Sequence, residues 1–279
     1  MVAARSRESL LPILRFQVIL AIMKDSSGAF RLVEYYLGIR MGLDLATISP
    51  GEPAVVETTL RLRRETGYGY IRACWWFKLK DGRSGISVPP GTAEEVRKIV
   101  QYVSDHDRLS EPAFAEKLKT PVNAALLDAG LREVDRRILD VNFACDAMHL
   151  RRHNCGDCQR LTDESIPPAG DMRLPTQCFS DGVVFGVIGN GQVVSMAFAH
   201  RTGTMEDCVA DLAVGTVPPH RRKGYAKTVL SALVGYFTDR GGQAIYNCSP
   251  ENHASIATAH SAGFVPFGRS LILSAPRAD

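Results

Sequence analysis

The stretch over residues 211–242, DLAVGTVPPHRRKGYAKTVLSALVGYFTDRGG, constrains this chain more than any other part of it. Residues 211–216 are mostly apolar and β-compatible, and Pro218 and Pro219 stop them. Beyond a short turn, Val229, Leu230, Leu233, Val234 and Phe237 recur at the i, i+1, i+4, i+5, i+8 spacing of one buried helical stripe. Gly241 and Gly242 then close the helix, as a left-handed C-terminal cap requires. The stretch reads as a strand, a basic glycine-containing turn and an amphipathic helix.

The turn carries the chemistry. Its residues are Arg221, Arg222, Lys223, Gly224, Tyr225 and Ala226. The glycine stands where the backbone must approach something closely, and free N–H groups at a helix start favour an anion. Three cations in the same six residues make a pyrophosphate a natural guest. A nucleotide P-loop is excluded, because the second glycine and the Lys-Ser/Thr pair are missing. A Rossmann fingerprint would need G-x-G-x-x-G after the strand.

A second motif follows about 30 residues further on, with a strand expected at 243–248 between the two. It is Asn252, Ala254 and Ser255, then Gly263 and Phe264, in ENHASIATAHSAGF. R-x-x-G-x-A between a strand and a helix, followed by N-x-x-A/S, a short helix and G-F, resembles the GNAT superfamily of general-control-type N-acetyltransferases. Val214, Gly215, Thr216, Val217 and Pro218 are similar to the glycine N-acyltransferase-like branch. The resemblance is specific over residues 207–268 and extends back to Gln159, Arg160, Leu161 and Thr162, which are similar to the first strand of such a domain.

The resemblance implies an α/β (α+β) fold: a mixed, mostly antiparallel sheet, split by a pantetheine arm and flanked by helices. It also implies acetyl-CoA, or another short acyl-CoA, as cosubstrate, and direct acyl transfer to a primary amine. The acceptor must be positioned, lose a proton and have its oxyanion stabilised. By resemblance, backbone groups of Thr216 and Val217 pair with the pantetheine arm. N–H groups of Arg222, Lys223, Gly224, Tyr225 and Ala226 hold the pyrophosphate, and Arg221 or Lys223 adds charge. Asn252, with Ser255 in the same motif, contacts the cofactor beyond the thioester. Asp211 is the candidate base, with Glu206 and Asp207 behind it, and the face it points to is open. Many relatives carry a tyrosine acid seven residues after the asparagine; that position is Ala259 here. His260 is the candidate acid, although one helical step turns a side chain by roughly 100°.

A chain of 279 residues allows one large or two ordinary domains. Hydrophobic content of 45% and charged content of 23% are those of a soluble globular protein. A net charge of +3, with no basic stripe beyond the turn, argues against a nucleic-acid partner. The apolar run in residues 1–24 is broken by Arg15 and Gln17 and is expected to be a helix rather than a secretion signal. No stretch approaches a membrane span, and seven cysteines without regular spacing fit a reducing cytoplasm.

In residues 1–150 the periodicity predicts a helix over 29–41 and strands over 55–62 and 70–79. A hairpin at Asp81 and Gly82 returns through 86–88. Thr92 to Glu95 reads as a capping box, and Thr120 with Pro121 as another helix start, ended by Gly130. Residues 131–144 alternate weakly, as a strand or a linker, with Asp140 and Asp146 read as solvated carboxylates. Trp75 and Trp76 read as core rather than as an acceptor pocket. These residues form an additional helix-plus-sheet domain of unknown role that packs on the acyltransferase domain of residues 151–279, and their strand-rich pattern suggests a degenerate relative of the same fold.

His149, His153, Cys155 and Cys158 are all zinc-competent, but four ligands within ten residues is cramped for a tetrahedral site, so no metal site is expected. Two other functions stay open: a non-catalytic acyl-CoA-binding or sensing module, and a zinc-binding interaction protein built on that cluster. The acceptor is a small-molecule or peptide amine, no membrane partner is expected, and both a monomer and a homodimer are compatible with the sequence.

Overall fold

A computed structural model of the chain describes residues 29–66, 68–101, 111–154, 158–162, 167–172 and 183–276. The expected helix within 1–24 lies outside the described residues. In chain order the elements are α1 (Arg31–Met41), β1 (Ala54–Glu57), β2 (Ile71–Leu79), β3 (Ser84–Val88), α2 (Ala93–Val100), α3 (Pro112–Asp128), β4 (Arg136–Cys145) and β5 (Cys158–Leu161). There follow β6 (Val184–Gly189), β7 (Gln192–Ala199), β8 (Val209–Thr216), α4 (Tyr225–Thr238), β9 (Gln243–Cys248), α5 (His253–Ser261) and β10 (Val265–Ala275).

The ten strands make one sheet in the order β1-β3-β2-β10-β4-β9-β8-β7-β6-β5. Only β1 with β3 and β8 with β9 run parallel. The sheet is therefore mixed and mostly antiparallel, with helices on both faces, as expected. Two strands trade places along the chain. β4, from the first 150 residues, lies between β9 and β10, and β10, the last strand, lies between β4 and β2. Each half of the sequence thus completes the sheet of the other.

Strand alternation sorts the core into two faces. On one face Val209, Ile245, Ala144, Ile272, Trp75 and Phe77 pack against Leu32, Val33, Tyr36, Leu37 and Met41 of α1. On the other, Ala210, Leu212, Ala244, Tyr246 and Phe143 pack against Val229, Leu230, Leu233, Val234 and Phe237 of α4. Further along that second face, Trp76, Ile86, Leu271 and Leu273 meet α2 and α3. The helical stripe read from the sequence is fully buried.

Several local expectations are corrected. The segment expected as a strand over 55–62 is a strand only to Glu57; a 3-10 turn, Thr59–Leu62, follows. The helix expected to start at Thr120 and Pro121 begins at Pro112 and carries Pro121 in its interior. The missing N–H there forgoes one helical hydrogen bond, a loss tolerated because Phe114, Leu118, Val122 and Leu126 are buried. The capping box is not formed: Thr92 Oγ1 donates to Pro89 O at 2.7 Å, and Glu57 from β1 accepts from Ala93 N at 2.8 Å. Residues 136–145 are a strand, and Asp140 within it is buried rather than solvated. Trp75 and Trp76 are 3% and 4% exposed, on opposite faces. A second hairpin turns at residues 189–191, with φ of 52° at Asn190 and 74° at Gly191.

Candidate active site

Strands β8 and β9 define the site. They pair in parallel from Val209 with Gln243 to Leu212 with Tyr246, and there the ladder ends. β8 continues to Thr216, held on its other side by β7, and β9 continues to Cys248. Past Leu212 the two strands diverge, so the β9-facing edge of residues 213–216 carries unpaired backbone. A Cβ added at Gly215 would meet nothing within 4 Å. Both parallel strands run directly into helices, so the start of α4 and the start of α5 open at the same sheet edge as the wedge. Ligands of open α/β sheets bind outside the carboxyl ends of parallel strands where the topology switches.

At that edge the chain lies as an anion cradle must. After β8, a 3-10 turn (Pro218–His220) turns the backbone, and Arg221 Nε donates to Thr216 O at 3.1 Å, tying the turn to the strand end. Arg222 has φ of 62° and Gly224 has φ of 85°. Gly224 is the residue before the first turn of α4, and no side chain caps that helix. The N–H groups of the first turn therefore point outward without an internal partner, at the positive end of the helix dipole. Arg221, Arg222 and Lys223 are all exposed beside them. Thr216 turns its hydroxyl away, onto Ser195 Oγ at 2.8 Å, which leaves its backbone as the part facing the wedge. At the start of α5, Asn252 Oδ1 accepts from Ser255 N at 3.1 Å, and Ser255 bonds the Tyr246 hydroxyl. The open strand edge, the uncapped helix and the exposed cations fit a pantetheine arm with its pyrophosphate.

On the α1 face the wedge borders a buried polar cluster. Asp211 is 4% exposed, and its Oδ2 accepts from Tyr36 Oη at 2.8 Å, Arg40 Nη1 at 2.7 Å and Tyr68 Oη at 2.7 Å. Arg40 also pairs with Glu65, which in turn pairs with Arg72. Tyr68 stacks on His200 with ring centroids 4.5 Å apart, and the Arg72 guanidinium lies 4.3 Å from the Tyr68 ring centre. Burial alone would raise the Asp211 carboxyl, but Arg40, His200 and the Tyr68 hydroxyl outweigh it and hold it below the usual carboxylate range.

Two strands over, beyond β9, Asp140 of β4 is 9% exposed and shares this face with Asn142 and Asn247. Asn247 lies beside its carboxylate, and Asn142 Nδ2 donates to Ser270 Oγ at 3.1 Å. Burial raises the Asp140 carboxyl, with Asp211 adding to the rise and Arg72 and Asn247 opposing it. The ladder between β4 and β9 ends with Val141 against Cys248, so Asp140 sits just beyond the last paired residue of β9, at the mouth of the wedge.

Comparison with known proteins now bears on these features. Residues 157–264 match the acetyltransferase (GNAT) family model. This segment is a GNAT-family domain. No curated protein matches the sequence. Among solved structures, a GNAT-family protein of Novosphingobium aromaticivorans is 17% identical, over 52% of this chain and 68% of its own, with a TM-score of 0.44. A GNAT-family acetyltransferase of Colwellia psychrerythraea is 18% identical, over 54% of this chain and 60% of its own, at 0.39. A tandem GNAT protein from the clavulanic acid biosynthesis pathway is 14% identical, over 70% of this chain and 74% of its own, at 0.40.

Within the GNAT domain the sequence-expected residues divide into groups. Thr216, Val217, Arg221, Arg222, Lys223, Gly224, Tyr225 and Ala226 come together along one end of β8, and Asn252 and Ser255 open α5 at the same edge. Asp211 and His260 do not come together. Asp211 faces α1, whereas His260 is an exposed residue of α5 whose ring lies edge-on to Phe143, on the opposite face of the sheet. His149 and His153 are engaged elsewhere: His149 Nδ1 lies 2.7 Å from Asp146 Oδ1, and His153 Nε2 lies 2.7 Å from Ser261 O. Cys155 lies outside the described residues. Among the described residues no helix is long and apolar enough to cross a membrane. The residues that sequence reasoning missed are Asp140, Asn142 and Asn247. Their signal was present in ILDVNFAC, where Asp140 and Asn142 occupy one alternating face of a strand whose other face is apolar.

Proposed function

We propose that the protein transfers an acetyl or other short acyl group from acyl-CoA directly to a primary amine. The wedge between β8 and β9 carries this reading, because it leaves the β9-facing edge of residues 213–216 without a partner strand beside an uncapped, cation-flanked helix start. The backbone of Thr216 and Val217 would align the pantetheine arm, and N–H groups of residues 222–226 would hold the pyrophosphate. Arg221 and Lys223 would add charge, and Asn252 and Ser255 would border the cofactor further along. When bound, the cosubstrate supplies a thioester carbonyl at the mouth of the wedge, next to the polar face of the sheet. The acceptor is a small-molecule or peptide amine.

Calorimetric titration with acetyl-CoA, beside the variant Gly224→Glu, tests the reading. At a φ of 85° any side chain is strained by about 1–3 kcal/mol, and glutamate adds a negative charge against the pyrophosphate. The expected outcome is micromolar binding by wild type, lost in a variant that keeps its circular dichroism spectrum. Absence of binding by wild type would sink acyl transfer and the acyl-CoA-sensing alternative together.

A further inference from the structure

We infer that Asp140, supplied by the first half of the chain, is the group that takes the proton from the acceptor amine. The inference rests on the acyl-transfer reading above. Three observations carry it.

The carboxylate expected on β8 is held in its ionised form through one oxygen, while its Oδ1 is buried without a hydrogen-bond partner among the described residues. Asp211 spends Oδ2 on Tyr36, Arg40 and Tyr68, and its paired guanidinium stabilises the ionised form, so it has little tendency to accept a proton. Asp140 is placed differently. It lies on the same face, one residue past the end of the ladder between β4 and β9, on the far side of β9 from the strand with which β9 forms the wedge. The groups facing it from neighbouring elements are Arg72 and Tyr70 of the β2 region, Asp211 of β8, and Asn247 and Cys248 of β9. Of these, Asn247 is a neutral amide beside the carboxylate, whereas Arg72 brings a positive charge and Asp211 a negative one. Finally, Asp140 is 9% exposed and its neighbours Tyr70 and Asn247 are half-buried, so the carboxylate is not sealed inside the sheet.

The step balances as follows. The Asp140 carboxylate takes one proton from the entering ammonium, and the freed nitrogen lone pair forms the C–N bond to the thioester carbonyl carbon. The C–S bond breaks with its electron pair on sulfur. The second proton leaving nitrogen neutralises the thiolate, and Asp140 returns its own proton to water. A carboxylate that titrates above its usual range is better matched to this task than an ordinary one.

Asp140→Asn tests the assignment, with methylamine as acceptor because it is small enough to reach any site at the wedge. Thiol release from acetyl-CoA is followed against pH. Infrared titration of the carboxyl C=O band absent from the variant supplies a readout that needs no turnover. The expected results are unchanged acetyl-CoA binding, a loss of about 100-fold or more in kcat/KM for methylamine, and disappearance of the acid limb. The wild-type band should titrate above the ordinary aspartate range. Asp140→Glu, which keeps a carboxylate, should lose rate and retain the acid limb. An Asp140→Asn enzyme with the wild-type rate and acid limb would overturn the assignment, as would a band titrating in the ordinary range. Acetyl-CoA binding by wild type without thiol release to methylamine would also overturn it while sparing the cofactor site. No acetyl-CoA binding at all would instead remove the transfer reading on which it rests.

Discussion

Two aspartates on one face of the sheet carry opposite burdens. Asp211 is ionised inside the protein because Arg40 and two tyrosine hydroxyls meet it. Its depressed carboxyl contributes stability that is fully present above the ordinary aspartate value of about 3.9 and is lost as pH falls through the folded value. Asp211→Asn leaves Arg40 buried with one of its two carboxylate partners, and unfolding in urea at pH 7 should show a loss of about 3 kcal/mol or more. The deficit should shrink as the comparison is moved below about pH 4, where wild type loses the same contribution. Asp140 behaves in the reverse sense. Its raised carboxyl favours the folded state at low pH, and that benefit is lost as pH rises through the folded value. Asp140→Asn should therefore be at least as stable as wild type at pH 8 in the same urea assay; a marked loss would mark Asp140 as a structural carboxylate. From sequence the two were indistinguishable, because each is one acidic residue in an apolar run. The separating fact is Arg40, which stands 171 positions away along the chain.

At the scale of elements, the two motifs were legible because each is a backbone device, and backbone devices leave glycine, proline and capping residues in the sequence. Gly224 opens α4, as read, and Asn252, expected only as a cofactor contact, caps α5. Gly263 shows how strict such a position is. Its φ is 95°, and an added Cβ would lie 2.0 Å from His149 O, where the chain after β4 passes against the end of α5. Arg151 N donates to Ala262 O at 3.0 Å across the same contact. Gly263→Ala must distort either that crossing or its own turn, and should cost about 3 kcal/mol, seen as a lowered Tm with acetyl-CoA affinity preserved in the folded fraction. Elements whose ends are set by distant partners were less legible. α2 takes its cap from Glu57 of β1, which no local pattern announces. α3 runs through Pro121 because its buried face outweighs one lost hydrogen bond, so a proline that looks like a start lies inside.

For the whole molecule, the sequence divides near residue 150 by motif content, whereas the sheet does not divide there. β4 fills the place between β9 and β10, so the last strand has no neighbour from its own half: among the described residues β10 pairs only with β4 and β2. Ion pairs and hydrogen bonds cross the same boundary, from Tyr36, Arg40 and Tyr68 to Asp211. Such crossing could not be read from hydrophobic periodicity, which identifies strands but not their neighbours. It has a thermodynamic consequence. A chain whose halves complete each other's sheet should unfold in one transition, because exposing either half leaves unpaired edges in the other. Both tryptophans lie in β2, so fluorescence reports on the first half, whereas far-ultraviolet circular dichroism reports on the helices of both halves. Their urea transitions should coincide, and a fragment of residues 151–279 alone, with β10 lacking any partner strand, should fail to give a cooperative transition. Separate transitions in the full chain, or a fragment that folds, would show that the strand exchange is not what holds the two halves together. In that case Asp140 would be a guest at the wedge rather than a fixed part of it.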